Sequence, residues 1–202
     1  MKSNLNHLIT RSFPHYRRHL LGFACILMSC ILIQSFHGGA WATLTQTTLT
    51  SHEYWRLLTA HFVHLNWQHL GLNMTGAGLC LLVFAKDIPI GHWLASAILI
   101  SLFSSFGLLI IGMPGQYMGF SDTLYGWVIL GILSIYTSDR WLSILMLGLL
   151  IGKLSYEQCF PSPFSAVFEG ATIATNSHLL GVAGGFLYFG YMALLKKQQH
   201  NL

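Results

Sequence analysis

Residues 91–111 read GHWLASAILISLFSSFGLLII, twenty-one residues without an acid, a lysine or an arginine. A helix needs about 20 apolar residues to cross the roughly 30 Å hydrocarbon core of a bilayer, so this stretch is long enough on its own. Similar runs lie on both sides of it. Reading outward from one cluster of turn residues to the next gives six helices, at about 19–36, 67–85, 91–111, 119–137, 141–158 and 173–195. Gly38-Gly39, Asp87 to Pro89, Met113-Pro114-Gly115, Asp139-Arg140 and Pro161 to Pro163 separate them, where breakers belong when no backbone group can go unpaired in lipid. Composition agrees: 53% of the 202 residues are hydrophobic and 8% are charged, where a soluble domain carries about 25% charge. The expected fold is an all-α membrane protein, a six-helix bundle over 19–195 with residues 1–18 as an N-terminal segment and 196–202 as a tail.

Lysine and arginine number 10 against 6 acids, but they flank the apolar runs instead of forming one patch, which excludes a nucleic-acid interface. With the N-terminus in the cytoplasm, Lys2, Arg11, Arg17, Arg18, Lys86, Arg140, Lys196 and Lys197 lie inside, and only Arg56 and Lys153 lie outside. Both termini are therefore expected to be cytoplasmic, and segments 37–66, 112–118 and 159–172 to face outward. The first twenty residues are too polar for a cleavable signal peptide, so the first span is expected to remain attached. Cys25, Cys30, Cys80 and Cys159 show no paired spacing and read as free thiols.

Polar side chains are costly within lipid, and here they gather at the outer ends of three helices. His69 and Asn73 are four residues apart and share a helix face, where both can donate to one oxygen. Ser121 falls in the first turn of the fourth helix, where backbone N–H groups lack intrahelical partners and the dipole favours negative charge. His178 stands at a similar depth on the sixth helix, followed by Gly181 and Gly185, small residues that let two helices approach closely enough for a Ser to His hydrogen bond. Each feature alone has a plainer explanation: a helix hydroxyl bonded to its own backbone, a packing stripe, a structural histidine. Together they supply a nucleophile, a base and oxyanion donors in one leaflet.

These residues resemble the rhomboid family of intramembrane serine proteases, over about residues 19–195. Trp55-Arg56 is similar to that family's WR pair, and His64, His69 and Asn73 fit its H-x4-H-x3-N pattern. Gly119-Phe120-Ser121 resembles the start of its G-x-S-G motif, Tyr125 stands where an aromatic packs on the catalytic imidazole, and His178, Gly181 and Gly185 fit H-x2-G-x3-G. The resemblance implies a six-helix rhomboid-like bundle, with Ser121 as nucleophile and His178 as general base. It implies an oxyanion hole of His69, Asn73 and the Ser121 N–H, and a dyad in which no acid orients the base. HFVHLNWQHLGLN and SDTLYG further resemble the rhombosortase branch, which implies substrates with a C-terminal Gly-Gly, apolar helix and basic tail. Asp122 departs from the pattern, standing at the motif's last glycine. Successive helical residues are about 100° apart, so its carboxylate is expected to face away from Ser121 and to cap the helix or anchor a loop.

No cofactor is implied. A metal reading of His61, His64 and His69 fails every zinc template, and His64 is assigned to holding the outer loop. Arg56 is expected to cap that loop or meet lipid headgroups. Glu53, Glu157 and Glu169 are expected as solvated loop charges, and Gln68, Asn73, Thr75 and Ser121 as the rim of a shallow wet cavity. The expected activity is hydrolysis of a peptide bond in or near the transmembrane helix of a membrane-anchored protein, at the outer face of a bacterial cytoplasmic membrane. The rivals are an inactive rhomboid-like adaptor that binds transmembrane helices, favoured by Asp122, and a small transporter or metal-binding protein using the histidines.

Overall fold

A computed structural model of the protein describes residues 2–36, 41–113, 115–160 and 175–200, with side chains over 16–199. Gly38-Gly39, Pro114, Pro161 to Pro163 and Glu169 lie outside the described residues. The chain is mostly helical: α1 is Lys2–Ser35, α2 Arg56–Thr59, α3 Trp67–Phe84, α4 Ile90–Ile111, α5 Ser121–Ile135, α6 Arg140–Cys159 and α7 Thr175–His200. α1 starts well before the expected 19, because polarity ends a run of membrane contact without ending a helix.

Among the described residues, four helices are long and apolar enough to cross a membrane: Tyr16–Ser35 of α1, all of α4 and α6, and Thr175–Gln199 of α7. α3, whose first half carries Gln68, His69 and Asn73, and the 15-residue α5 are not among them. Large apolar side chains such as Ile110, Leu149 and Leu194 point outward on the spans, as a lipid-facing surface requires. The protein is an integral membrane protein.

α5 occupies the centre and packs against α3, α4, α6 and α7. Its two glycines explain why neighbours come so close. A methyl group on Gly131 would collide with the Phe84 ring of α3, and one on Gly126 would sit 2.7 Å from both Ile100 of α4 and the Gly181 carbonyl of α7. Trp127 fills the remaining space, edge-on to Trp93 at 4.5 Å, with its Nε1 donating to Ser96 Oγ at 3.1 Å. α1 is fixed by His19, whose buried Nε2 donates to the Ile88 carbonyl at 2.9 Å in the turn between α3 and α4.

The segment between α1 and α3 is folded. Strand β1 (Leu44–Thr45) pairs antiparallel with β2 (Gln116–Tyr117), Leu44 opposite Tyr117. Arg56 organises this layer, donating from Nε and Nη2 to the two carboxylate oxygens of Glu53, each at 2.9 Å, and from Nη1 to the Thr43 carbonyl at 2.8 Å. Glu53 is thus half of a bidentate clamp, which corrects its reading as a solvated charge: a planar fork matches a carboxylate and ties the loop to itself. Trp55 Nε1 donates to the Trp41 carbonyl at 3.0 Å, and Thr59 Oγ1 to the Ala42 carbonyl at 3.0 Å.

Candidate active site

Ser121 is the first residue of α5. The peptide before it is held on two sides: Gly119 N–H donates to the Ala60 carbonyl at 2.9 Å, and the buried Tyr117 hydroxyl donates to the Gly119 carbonyl at 2.9 Å. Burial, then the nearby Asp122 carboxylate, push the Tyr117 hydroxyl well above its usual range, which keeps that donor protonated. Gly119 has φ +125°, a conformation that side chains rarely adopt. From this turn Ser121 Oγ lies 3.0 Å from His178 Nε2, across 57 residues of sequence. The two meet because α7 lies backbone to backbone on α5, with Gly181 against the Asp122 carbonyl and Gly185 against the Gly126 carbonyl. Tyr125, one turn along α5, stacks on the His178 imidazole at 4.3 Å and 19°.

The other imidazole nitrogen also has a partner. Glu157, in the last turn of α6, lies with Oε2 2.9 Å from His178 Nδ1. Its Oε1 accepts from the Tyr125 hydroxyl at 2.8 Å and from Lys153 Nζ. The Glu157 side chain is only 10% exposed, so its expected place as a solvated loop charge is corrected, and so is the expectation that no acid meets the histidine. A signal was available. A carboxylate in the last turn of a helix opposes the macrodipole, and within an apolar helix it needs a named partner.

His69 and Asn73 project from the N-terminal half of α3, whose start is fixed by the Asn66 side chain accepting from His69 N–H at 2.8 Å. They converge beside Gly119: a methyl group there would sit 2.8 Å from His69 Cε1, 3.0 Å from Nε2 and 3.5 Å from Asn73 Nδ2. Asn73 is 5% exposed, and its Nδ2 has no hydrogen-bond partner among the described residues. Such a donor costs about 1–3 kcal/mol to bury and marks a place built to receive an acceptor. His64 stands edge-on to His69 at 5.1 Å, and its main-chain N–H donates to Gln34 Oε1 of α1 at 3.0 Å. Burial, then the neighbouring His69, lower the His64 imidazole to about 3, so it is neutral. Thr75 is exposed and bonds the Gly71 carbonyl of its own helix at 2.8 Å, so it does not rim this recess.

Asp122 is fully buried and turned toward His61 in the segment between α2 and α3, with Oδ1 3.0 Å from His61 Nδ1 and accepting from Thr123 N–H at 2.6 Å. His61 Nε2 meets Ser105 Oγ at 2.9 Å, and Ser105 donates its only proton to the Leu57 carbonyl at 2.7 Å. The histidines offered to a metal thus point different ways, His61 into this network and His64 toward His69. Ser105 belongs to a buried serine row on α4, with Ser96, Ser101 and Ser104, a cluster of polar groups in the third apolar run that sequence reasoning passed over. Ser101 bonds Thr123 Oγ1 at 2.9 Å.

No curated protein matches this chain. The Rhomboid domain family matches residues 51–195, a stretch that contains the Arg56–Glu53 pair, strand β2 and every residue of the site from Arg56 to Gly185. Members of that family are generally intramembrane serine proteases. The match takes in well over half of the chain, from the Arg56 clamp to the α5–α7 contact, and the protein belongs to the rhomboid family.

Proposed function

We propose that the protein is an intramembrane serine endopeptidase in which Ser121 is the nucleophile and His178 the general base. The observation that carries this reading is the 3.0 Å contact between Ser121 Oγ and His178 Nε2, with the imidazole held flat under Tyr125. Ser121 Oγ attacks the carbonyl carbon of the scissile bond while its proton passes to Nε2. Asn73 Nδ2, the His69 ring and the Ser121 N–H stabilise the oxyanion in the space that the missing side chain at Gly119 leaves open. The imidazolium then protonates the departing amine as the C–N bond breaks, and water hydrolyses the acyl-enzyme. The adaptor reading drew on Asp122, whose carboxylate is engaged by His61 and does not crowd the nucleophile.

A 15-residue helix is about 22 Å long, short of a roughly 30 Å hydrocarbon core, so Ser121 at its outer end is recessed below the lipid surface. This favours counting α3 and α5 as spans of a six-helix bundle. The charge asymmetry of the loops favours cytoplasmic termini and a site opening to the outer face of a bacterial cytoplasmic membrane. Substrates are membrane-anchored proteins with a helix that unwinds near the site. The resemblance of HFVHLNWQHLGLN and SDTLYG to the rhombosortase branch favours C-terminal Gly-Gly sorting signals among them.

The test uses a fluorophosphonate on detergent-purified protein. Labelling of the wild type that disappears in Ser121→Ala, with an unchanged melting temperature, is expected. Equal labelling of wild type and Ser121→Ala excludes that hydroxyl as the nucleophile.

A further inference from the structure

We infer that Glu157 is the positioning acid of the site, converting the Ser121–His178 pair into a Ser-His-Glu triad whose third member comes from α6. This rests on the reading of Ser121 and His178 as nucleophile and base. A carboxylate accepts and cannot donate, so the 2.9 Å contact with Glu157 Oε2 places the imidazole proton on Nδ1. Nε2 is left with its lone pair toward Ser121 Oγ, 3.0 Å away, which is the tautomer that can take the serine proton. When Nε2 receives that proton, the Nδ1 proton stays on the ring, still donated to Glu157, and the new positive charge lies against a carboxylate. No proton passes to the acid.

The surroundings fit a carboxylate held for orientation. Its other oxygen is fixed by the Tyr125 hydroxyl at 2.8 Å and by Lys153 Nζ. Tyr125 is the same ring that stacks on His178, so one side chain sets the plane of the imidazole and the position of the acid beside it. The Glu157 and His178 side chains are 10% and 7% exposed, which limits competition from water for either hydrogen bond. Asp122, the acid adjacent to the nucleophile in sequence, is occupied by His61 and is unavailable for this role.

The experiment uses the full-length protein in detergent micelles, labelled with 15N-histidine, alongside cleavage of a reporter transmembrane substrate and fluorophosphonate labelling. The His178 signals are assigned by their loss in His178→Ala. The wild type is expected to show His178 protonated at Nδ1. Glu157→Gln is expected to move the ring toward the Nε2-protonated tautomer and to lower kcat by about 10²- to 10⁴-fold with KM nearly unchanged, the pattern of a lost orienting acid. Lys153→Met, which leaves the carboxylate on the histidine, is expected to cost far less. A wild-type spectrum with the proton on Nε2 overturns the assignment even if no variant folds, and so does a Glu157→Gln protein that cleaves at the wild-type rate. If the wild type neither cleaves nor labels, the protease reading fails, while the tautomer in wild type and Glu157→Gln still decides the positioning role.

Discussion

Replacing Gly181 by alanine tests whether backbone contact between α5 and α7 holds the site together. A Cβ at 181 would collide with the Asp122 carbonyl oxygen and sit 2.6 Å from the carbonyl carbon and 2.9 Å from Cα. Non-bonded carbons pack best at about 3.5–4.0 Å, and helix backbone cannot swing aside as a side chain can, so the helices must part locally by about 1 Å. Asp122 adjoins Ser121, and Gly181 is one turn from His178, so the displacement falls almost entirely on the 3.0 Å hydrogen bond between them. A misplacement of that size costs about 10²-fold in turnover, and the overpacking itself about 1–3 kcal/mol of stability. The matched control is Gly190→Ala on the same helix, where a methyl group meets nothing within 4 Å. It should keep wild-type turnover and gain about 1 kcal/mol from helix propensity. The assay is reporter cleavage in micelles with thermal unfolding of each variant. Gly181→Ala turning over at the wild-type rate would refute the argument that glycine spacing sets the geometry of the site.

Other outcomes follow from single contacts. Asn73→Ala should lower kcat by about 10²–10³-fold with little change in thermal stability, because its Nδ2 has no partner to lose within the described protein; an unchanged kcat removes it from the oxyanion hole. Asp122→Ala should lower unfolding stability by about 1–3 kcal/mol by leaving the buried His61 Nδ1 unpaired, and an unaltered melting temperature would show that the network carries no weight. Stability should also depend on pH through His64. Its folded value near 3 lies below the usual 6.5, so as pH falls through that window the unfolded chain takes up a proton that the folded chain refuses, and stability drops by up to about 1.4 kcal/mol per pH unit. Unfolding curves for His64→Leu should be flatter over that range; an identical slope in the two proteins would assign the effect to other groups.

Much of the architecture could be read from residues 91–111 and the runs beside them, because lipid leaves a chain few options and length measures the bilayer directly. The proximity of Ser121 and His178 was legible as well, since depth along two apolar runs is preserved on folding and the glycines after His178 say which helix can come close. What escaped was lateral information. Glu157 reads as a solvated charge because the expected helix ends one residue later, at 158, and nothing in its own run reveals that α6 turns this edge toward α7. The folded layer between α1 and α3 escaped because Arg56 and Glu53 gain their meaning from pairing across three residues and from the Thr43 carbonyl, a contact no periodicity records. The serine row of α4 was hidden by its setting: four hydroxyls spread over ten residues barely lower the hydropathy of a long span, although Ser96 and Ser101 bond Trp127 and Thr123 of α5.

The His61 network binds three distant positions into a single unit of change. Ser105 donates its hydroxyl hydrogen bond to the Leu57 carbonyl and so must accept from His61 Nε2, while Nδ1 is committed to Asp122. Altering any one of residues 61, 105 and 122 therefore strands a polar atom in a dry interior, and only a concerted replacement by apolar groups avoids the penalty. Glycine at 122 therefore cannot be reached by a single substitution without passing through a weakened protein. The three positions behave as one unit, tolerated together or lost together.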